Sequence, residues 1–483
     1  MSEEALPNDA ERYAQTLTYL RQLTRFGINP GLERIEALLA QMGNPERQVP
    51  FIHVAGTNGK GSTIAIMEAV LRETGLKVGS FTSPHLHSWR ERIRYDGALI
   101  ARADVVRGFN FVRPLVENVL ARGVEHPTEF EISTALAFWY FAETQPDLVL
   151  LEVGLGGAID STNVIRPELV IITSIGMDHM DYLGSTLAEI AAVKAGVIKE
   201  RIPVVTSVDR PEAMEVLARA AAERQAPMIR VQEGRPDGRQ SLERSAQTPI
   251  IWAELRPNAN PEIQTVFTYH GLRNNWTDLS VSLAGEHQML NAATALAALE
   301  VLRDKAAGPW PEMSWNEEIV RRGLGRTVWP GRLEFLTVDF PGKRVRVLLD
   351  GAHNVDGMRA LYRALSQNYP RRSLVLCVGM LADKEVEEAL SLILPLADKV
   401  IVTRPNSPRA GDWQRLADLA RLRRPAALSG ETLERVELIE NPKQAVQRGL
   451  EICEERDVFC VTGSLYMLAD ARAEVLRIKS EYV

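Results

Sequence analysis

The sequence contains few cysteines and no long apolar run. Three cysteines in 483 residues are too few for a disulfide framework, and no pair of them has the short spacing of a zinc site. No uncharged apolar stretch approaches the ~18 residues that a membrane-spanning helix needs, and the first residues are acidic, unlike a signal peptide. We therefore expect a cytoplasmic protein with reduced, buried thiols and no membrane partner.

Positive charge is also in short supply. The chain has 56 Lys and Arg residues against 63 Asp and Glu residues, a formal net charge of −7. This balance argues against a protein whose main task is to bind nucleic acid or anionic lipid. The content of 33 Gly and 26 Pro is near average and excludes a collagen-like or low-complexity chain. At ~150 residues per domain, the length predicts two or three globular domains.

In the first two thirds of the chain, short apolar runs alternate with segments of helical spacing. The apolar runs lie at 49–54, 77–81, 147–153, 168–175 and 202–206, and the helical segments at 63–73, 131–143 and 186–199. This alternation predicts a mostly parallel sheet with helices on both faces. Alternating runs near 250–255, 265–269 and 279–283 predict antiparallel strands added to that sheet, and a helix is expected at about 288–303.

The rhythm breaks around 305–330, where Gly and Pro are frequent, and a second alternation follows. Strands are predicted at 344–349, 373–378, 399–403 and 458–462, and helices at 355–367, 384–397 and 412–422. We therefore predict an α/β protein with a P-loop ATPase domain over 1–328 and a smaller Rossmann-like α/β domain over 329–483. A binding cleft is expected at the hinge between them.

The segment from Gly56 to Ser62 is a glycine-rich turn between a predicted strand and a predicted helix. Backbone N–H groups of such a turn, here around Gly59 and Gly61, point at phosphate oxygens, and Lys60 would contact the β- and γ-phosphates. The Ser62 hydroxyl can reach Mg²⁺. Because Gly61 separates the lysine from the serine, the loop departs from that of ordinary GTPases and motor ATPases, and no guanine-reading Asn-Lys-x-Asp motif is present.

Three further side chains follow predicted strands or the hinge. Glu152 ends an apolar strand, where an acid either holds Mg²⁺ for a nucleotide or is merely solvated. His179 also comes just past a strand, although a lone histidine is more often structural than a ligand. Arg332 stands at the predicted hinge, where it would reach a phosphate across a closing cleft or remain a solvated linker residue.

Ten ordered motifs accompany the phosphate loop. They are TSPHL at 82–86, TEFE at 128–131, EVGLGG at 152–157, DSTN at 160–163, IGMDH at 175–179, KAG at 194–196, GEHQ at 285–288, PGRLE at 330–334, DGAHN at 350–354 and VTGSLY at 461–466. In this order and at these spacings they resemble the folylpolyglutamate and dihydrofolate synthases of the Mur ligase family. The resemblance spans roughly residues 15–480.

The resemblance implies an ATP-dependent ligase that activates a folate or dihydropteroate carboxylate as an acyl phosphate and then joins it to L-glutamate. It implies two Mg²⁺ sites, with Ser83, Glu152, His179 and a CO₂-carbamylated Lys194 as ligands. By its chemistry alone, Lys194 would be a phosphate-binding cation or an exposed helix residue. ATP contacts are implied for Gly59, Lys60, Gly61, Ser62, Asn291, Arg332 and Asp350. Lys60, Lys194 and His353 are implied in catalysis, although His353 could equally stabilise its own turn.

The resemblance implies that two segments bind the substrate, Thr128-Glu129-Phe130-Glu131 and Ile159-Asp160-Ser161. Phe130 either stacks on a pterin ring or belongs to the core. The chain departs from the family pattern at Ala158, where arginine is common, and at Val193, where glutamate is usual. The first change bears on substrate affinity or choice because alanine cannot replace a guanidinium. The second bears on the modification of Lys194.

Two other functions remain open from the sequence. A Mur-like ligase could act on a cell-wall nucleotide-sugar, but only about 50 residues precede the phosphate loop, and no uridine-nucleotide domain is recognisable there. A nucleotide-binding paralogue without turnover is motivated by Ala158 and Val193. The retained Lys60, Glu152, His179 and Lys194 count against it. We expect a monomer whose partners are small molecules rather than nucleic acid.

Overall fold

Two sheets organise the chain, and each carries helices on both faces. The computed structural model describes residues 8–481, apart from residues 28 and 314 and the segments 237–247, 306–312, 370–371, 383–384 and 423–435. The predicted fold class is confirmed: a large, mostly parallel sheet with added antiparallel strands precedes a smaller α/β domain.

The first sheet has eleven strands in the order β11-β10-β9-β8-β7-β6-β1-β5-β2-β3-β4. They are β1 (Phe51–Ala55), β2 (Val78–Phe81), β3 (Ile93–Tyr95), β4 (Ala98–Leu99), β5 (Leu148–Glu152), β6 (Leu169–Ile172), β7 (Val204–Thr206), β8 (Met228–Glu233), β9 (Ile250–Leu255), β10 (Thr265–His270) and β11 (Asn275–Val281). From β2 to β9 across the sheet all neighbours are parallel, and β10, β11, β3 and β4 add antiparallel edges. The carboxyl ends of β1, β5 and β6 therefore meet at one edge.

The helices of this domain are α1 (Asp9–Gln22), α2 (Glu33–Gln41), α3 (Lys60–Glu73), α4 (Arg102–Ala121), α5 (Glu129–Thr144), α6 (Met180–Leu183), α7 (Leu187–Ala195), α8 (Pro211–Glu223), α9 (His287–Arg303) and α10 (Glu317–Gly325). On one face, α3, α9 and α10 contribute to a single apolar core. On the other face, α1, α2, α4 and α5 form a second core. The central strands are buried on both sides, which explains their unbroken apolar runs.

The second domain has a six-stranded sheet in the order β12-β13-β17-β14-β15-β16, parallel except for the β12–β13 pair. Its elements are β12 (Glu334–Phe340), β13 (Lys343–Leu349), α11 (Val355–Asn368), β14 (Leu374–Val378), α12 (Val386–Ile393), β15 (Lys399–Val402), α13 (Arg415–Leu422), β16 (Val436–Leu438), α14 (Pro442–Ile452), β17 (Val458–Thr462) and α15 (Leu465–Glu481). Helices α11 to α13 cover one face, and α14 and α15 the other.

The segment preceding the second domain contains a helix that the sequence did not indicate. The alternation of strands and helices breaks around 305–330, and α10 occupies Glu317–Gly325 within this segment. Position 323 of this helix requires glycine, because a Cβ there would lie 2.5 Å from the Val70 Cα. The absence of a side chain at Gly323 therefore allows α10 to pack closely against α3.

The three cysteines, Cys377, Cys453 and Cys460, are free and buried. Burial raises the pKa of the Cys377 and Cys453 thiols to about 12, so these thiols stay protonated at neutral pH. Within the described part of the chain, no helix has both the length and the apolar character to cross a bilayer.

Candidate functional site

The phosphate loop connects β1 to α3 at the carboxyl edge of the first sheet. The chain turns at Gly56 and Gly59 with φ of +142° and +90°, conformations that favour glycine. Close neighbours exclude side chains at both positions. A Cβ on Gly59 would lie 2.5 Å from Asn291 Oδ1, and one on Gly56 would lie 2.0 Å from Thr173 Oγ1. The loop is therefore fitted to Asn291 of α9 and to the end of β6.

Hydrogen bonds hold this loop against the segment after β6. The Thr57 N–H donates to the Ser174 carbonyl over 2.7 Å, and the Asn58 N–H donates to the Ser174 hydroxyl over 3.0 Å. Lys60 Nζ reaches back across the loop and donates to the carbonyls of Gly56 and Thr57 over 3.1 and 3.2 Å. The ammonium group is thus placed over the loop at the N-terminus of α3, where anions bind.

Glu152 lies beside this lysine at the carboxyl end of β5. Its side chain is buried, with 5% of the residue exposed. One oxygen, Oε2, accepts from the Ser83 N–H over 3.1 Å, and Oε1 is 3.9 Å from Lys60 Nζ. Burial raises the pKa of Glu152, and the charge of Lys60 opposes that shift. The carboxylate leaves Oε1 directed at the phosphate loop.

Lys194 is a second buried lysine at the same place. It is 4% exposed, and its Nζ donates to the Gly56 carbonyl over 3.0 Å. Burial, with a smaller contribution from the charge of Lys60, lowers the pKa of Lys194 to about 7. A large fraction of this amine is therefore neutral near pH 7, which is the form that reacts with electrophiles.

Asp178 connects the two domains at this edge. Its Oδ1 is 3.9 Å from His179 Nε2, and its Oδ2 is 3.7 Å from His353 Nε2 of the second domain. Asn354 Nδ2 donates to Asp178 Oδ2 over 3.1 Å and to Asn58 Oδ1 over 3.2 Å. The loop that starts α11 therefore contacts the phosphate loop directly.

His353 has two different environments, which bear on the alternatives for its role. Its Nδ1–H donates to the Gly351 carbonyl over 2.8 Å and so holds the turn, while Nε2 faces Asp178 and the space between the domains. Asp350 is bonded more fully. Its two oxygens accept from the N–H groups of Leu333 and Ala352, each over 2.9 Å. Burial raises the pKa of Asp350, against the effect of Arg332.

These groups line one cavity of about 440 Å³ between the domains. All the residues predicted for ATP, metal and catalysis contribute to its wall: Gly59, Lys60, Gly61, Ser62, Ser83, Glu152, His179, Lys194, Asn291, Arg332, Asp350 and His353. Both domains supply them, so the cavity depends on how the domains pack. Below it is called the nucleotide cavity.

A second cavity of about 350 Å³ adjoins the first, and it is called the acceptor cavity below. Of the residues predicted for the substrate, Thr128, Phe130, Glu131, Ile159, Asp160 and Ser161 line it. Ser83, His179 and His353 belong to the walls of both cavities. The two spaces therefore meet beside the candidate metal ligands and the phosphate loop.

Several of the predicted substrate residues form hydrogen bonds within the wall of the acceptor cavity. Thr128 caps α5: its Oγ1 accepts from the Glu131 N–H over 3.2 Å, and Glu131 Oε2 accepts from the Thr128 N–H over 2.7 Å. Arg34 Nε also donates to that carboxylate over 3.2 Å. Glu129 is absent from the described lining of the acceptor cavity. It accepts from Arg92 Nη1 over 3.1 Å, and Arg92 itself lines the cavity.

Asp160 and Phe130 also hold the wall of the acceptor cavity in place while they line it. Asp160 Oδ2 accepts from the Leu155 N–H over 2.7 Å, and Oδ1 accepts from the Thr162 N–H over 3.0 Å. Burial raises the pKa of Asp160. The Phe130 ring packs 5.9 Å from Phe81, centroid to centroid, and leaves no space for a Cβ at Gly154. It combines core packing on one side with a cavity surface on the other.

Comparisons with known proteins agree with this geometry. The family model described as "Mur ligase middle domain" matches residues 54–299, and that described as "Mur ligase, glutamate ligase domain" matches 331–465. The chain is 35% identical to a dihydrofolate synthase/folylpolyglutamate synthase of Bacillus subtilis, covering 95% of this chain and 98% of the relative. The chain belongs to the folylpolyglutamate and dihydrofolate synthases of the Mur ligase family.

Solved structures support the same assignment. A Mycobacterium tuberculosis folylpolyglutamate synthase complexed with ADP superposes with a TM-score of 0.83 at 31% identity, covering 96% of this chain and 98% of that one. Escherichia coli FolC in complex with DHPP and ADP gives a TM-score of 0.78 at 27% identity, covering 98% and 100%. The chain is thus an ATP-dependent amide-forming ligase. These relatives support the folate assignment over the cell-wall ligase and the non-catalytic paralogue.

The donor set of this ligase suits a hard divalent cation that also binds phosphate oxygens. Among the described residues, no three His, Cys, Asp or Glu side chains form a metal-holding group by themselves. The nucleotide cavity does offer the Glu152 carboxylate, the Ser62 and Ser83 hydroxyls and the His179 imidazole. Mg²⁺ commonly takes one or two protein carboxylates and completes its shell with phosphate oxygens and water. These residues therefore fit Mg²⁺ as a nucleotide-bound ion.

Sequence reasoning missed several residues of this ligase. Ser174 holds the phosphate loop to the end of β6, and Asn58 holds it to the second domain. Ser174 lies near the end of a predicted strand and Asn58 lies within the predicted glycine-rich turn, but neither was assigned a role. Arg409 and Tyr466 of the second domain line the acceptor cavity without being predicted for it. The two departures from the family pattern lie next to each other, since the Ala158 N–H donates to the Val193 carbonyl over 2.9 Å.

Proposed function

We propose that this ligase joins L-glutamate to the carboxylate of a dihydropteroate or a folate, with ATP as the energy source. The observation that carries the proposal is the contact between the two cavities at Ser83, His179 and His353. A flat aromatic acceptor bound beside Phe130 would bring its carboxylate to this junction. The terminal phosphate of a nucleotide held at the loop would reach the same point.

The first step is phosphoryl transfer to the acceptor carboxylate. The backbone of Gly59–Ser62 and the Lys60 ammonium would bind the phosphates, with Arg332 approaching from the second domain. Transfer of the γ-phosphoryl group gives an acyl phosphate and ADP. The amine of L-glutamate then attacks the acyl carbon, loses a proton and displaces inorganic phosphate. Lys60 is directed at the developing negative charge, which is the contribution expected to be largest.

We further propose that Mg²⁺ is held by Ser83, Glu152 and His179, and that Lys194 contributes a carbamate to a second ion. Bound Mg²⁺ would neutralise phosphate charge and bring the two anionic reactants together. The neutral fraction of the Lys194 amine, which follows from its pKa of about 7, supports carbamylation. Lys194 and Lys60 both reach the Gly56 carbonyl, so a carbamate on Lys194 would replace two neighbouring cations by a pair of opposite charge.

The second domain would orient the amino acid and exclude water. His353 Nε2 and Tyr466 lie on the side of the acceptor cavity from which glutamate would enter. Contacts of Asn354 with Asn58 and Asp178 join the domains across the cavity, which would protect the acyl phosphate from hydrolysis. We propose that the domains divide at 328/329, and that the enzyme acts as a cytoplasmic monomer.

The test measures ADP release and product mass with ATP and L-glutamate. Three acceptors are compared: dihydropteroate, a reduced folate and a UDP-sugar peptide. We expect glutamylated product with at least one pterin acceptor and none with the UDP-sugar peptide. If neither pterin acceptor causes ADP release, the folate proposal is overturned. Tight ADP binding without any turnover would favour the paralogue that does no chemistry.

A further inference from the structure

Gly61, the residue that makes the phosphate loop unusual, lies against a tryptophan from the interdomain linker. A Cβ on Gly61 would lie 2.7 Å from Cζ2 and 2.9 Å from Cε2 of Trp329. The Arg94 guanidinium carbon is 5.6 Å from the centroid of the same ring. The indole is thus held between the first turn of α3 and β3. Only a residue without a side chain leaves this space.

The linker approaches Trp329 along the phosphate-loop helix. At the far end of α3, Arg322 Nε donates to Glu73 Oε2 over 3.0 Å. One residue later, Gly323 packs on the backbone of Val70. Trp329 follows at Gly61, so the segment runs antiparallel to α3 from its last turn to its first. The linker therefore contacts α3 near both ends of that helix.

Immediately after Trp329 the chain belongs to the second domain. The Gly351 N–H donates to the Gly331 carbonyl over 2.9 Å, and the Gly331 N–H donates to Glu334 Oε2 over 2.9 Å. The chain therefore passes from one domain to the other within a few residues of Trp329. Arg332, which lines the nucleotide cavity, comes directly after this crossing.

We propose that Trp329 is a positioning residue for nucleotide binding, and that position 61 requires glycine because any side chain there would displace the Trp329 ring. The indole fixes the start of the second domain at the phosphate-binding end of α3. It thereby sets the distance from Arg332 to the phosphates bound by Lys60. The inference rests on the ATP use included in the proposed function, but not on the identity of the acceptor.

The test is a double-mutant cycle on Gly61→Ala and Trp329→Leu, with ADP affinity measured by calorimetry. Overpacking by the new methyl group should weaken ADP binding by about tenfold in Gly61→Ala, and loss of the ring should weaken it by about threefold in Trp329→Leu. The double variant should bind ADP within about twofold of Trp329→Leu, because the smaller side chain removes the clash. Independent effects that multiply to about thirtyfold would overturn the proposal, as would full affinity in Gly61→Ala.

Gly325→Ala is the matched control, since a Cβ there meets no atom within 4 Å, and we expect wild-type ADP affinity. Thermal melting separates binding from folding. If Gly61→Ala fails to fold, the kinetics of Trp329→Leu decide the question. A higher KM for ATP with an unchanged KM for glutamate would support the proposal. Any other result, including an unchanged KM for ATP, would overturn it. Because ADP binding requires no acceptor, failure of the folate assignment would leave this result intact.

Discussion

The nucleotide cavity and the acceptor cavity share a wall, but different kinds of group build them. The nucleotide cavity is lined by charged side chains that end directly in it, including Lys60, Glu152 and Lys194. In the acceptor cavity, the carboxylates of Glu131 and Asp160 are already bonded to backbone N–H groups of the wall. Asp350 of the nucleotide cavity is bonded to backbone N–H groups in the same way. The contrast therefore rests on Lys60, Lys194 and Glu152, which bring charge to the first cavity, whereas Glu131 and Asp160 maintain the shape of the second.

This difference separates the expected effects of substitution. In the nucleotide cavity a changed side chain removes charge stabilisation of the phosphoryl transfer, which lowers kcat. In the acceptor cavity a change alters the fit or the stability of the wall, which appears in KM for the acceptor or in the free energy of unfolding. The following substitutions test that separation, beginning with the largest expected effect.

Replacement of Lys60 by alanine should lower kcat by about a thousandfold, because the variant lacks the ammonium that we propose contacts the transferred phosphoryl group. Acceptor binding, measured by equilibrium titration, should remain unchanged, since Lys60 does not line the acceptor cavity. Lys77→Ala is the control. It removes the same charge beside β2, where Lys77 pairs with Asp96 over 2.7 Å. A comparable loss of acceptor affinity in Lys60→Ala would show that the two cavities are not separable.

Replacement of Lys194 by arginine should lower kcat by about a hundredfold, a typical cost of perturbing a metal site. A guanidinium keeps the positive charge but cannot form a carbamate. Turnover of the wild-type enzyme should also fall in CO₂-depleted buffer and recover with bicarbonate. Mass spectrometry under non-acidic conditions should detect one added CO₂ on the wild type only. Near-normal activity of the arginine variant would remove Lys194 from the metal site.

Replacement of Phe130 by leucine should raise KM for the pterin acceptor by about tenfold, because the variant loses an aromatic face in the acceptor cavity. KM for ATP should stay constant. Phe138→Leu is the matched control on the same helix. Its ring is fully buried against Phe51, so the variant should lose stability without a change in acceptor KM. Equal KM values in the two variants would assign Phe130 to the core alone.

The nucleotide cavity was largely predictable because its chemistry is local in sequence. A strand, a glycine turn and a helix place Lys60 and Ser62 by themselves, and strand ends place Glu152 and His179 at the same edge. Parallel strands bring such ends together whatever the rest of the sequence does. Ser83, Lys194, Asn291 and Asp350 were reached only through the family resemblance, and they line the same cavity.

The acceptor cavity was predictable only in part because several segments of its wall belong to no motif that carries a chemical signal. Gly27, Asn29, Pro30 and Gly31 line it together with Tyr466, more than 400 residues away, and no periodicity indicates that they meet. Motif matching also selects residues such as Thr128 and Asp160 without showing whether they contact the acceptor or cap a turn. The same limit applied to α10, which the sequence did not indicate and where Gly323 allows close packing on α3.

The least obvious support of the acceptor cavity is His53, which lies on the central strand β1. Its Nε2 lies 2.8 Å from Thr162 Oγ1. The Thr162 hydroxyl donates to Asp160 Oδ1, so it must accept from His53, which fixes the imidazole as the neutral Nε2–H form. Burial, followed by the charge of Lys199, lowers the pKa of His53 from 6.5 to about 3. The wall of the cavity thus rests on a histidine that resists protonation.

Replacement of His53 by glutamine should therefore remove part of the acid sensitivity while keeping a donor to Thr162. Between pH 6.5 and about 3, the unfolded chain binds a proton on this imidazole that the folded chain does not. The free energy of unfolding of the wild type should fall relative to His53→Gln by at most about 1.4 kcal/mol per pH unit in that window, and the two curves should run parallel above it. His53→Leu lacks the donor and should lose about 1–3 kcal/mol at pH 7. Denaturant titrations from pH 4 to pH 8 measure both effects, and parallel curves below pH 6 would show that His53 is protonated in the folded state.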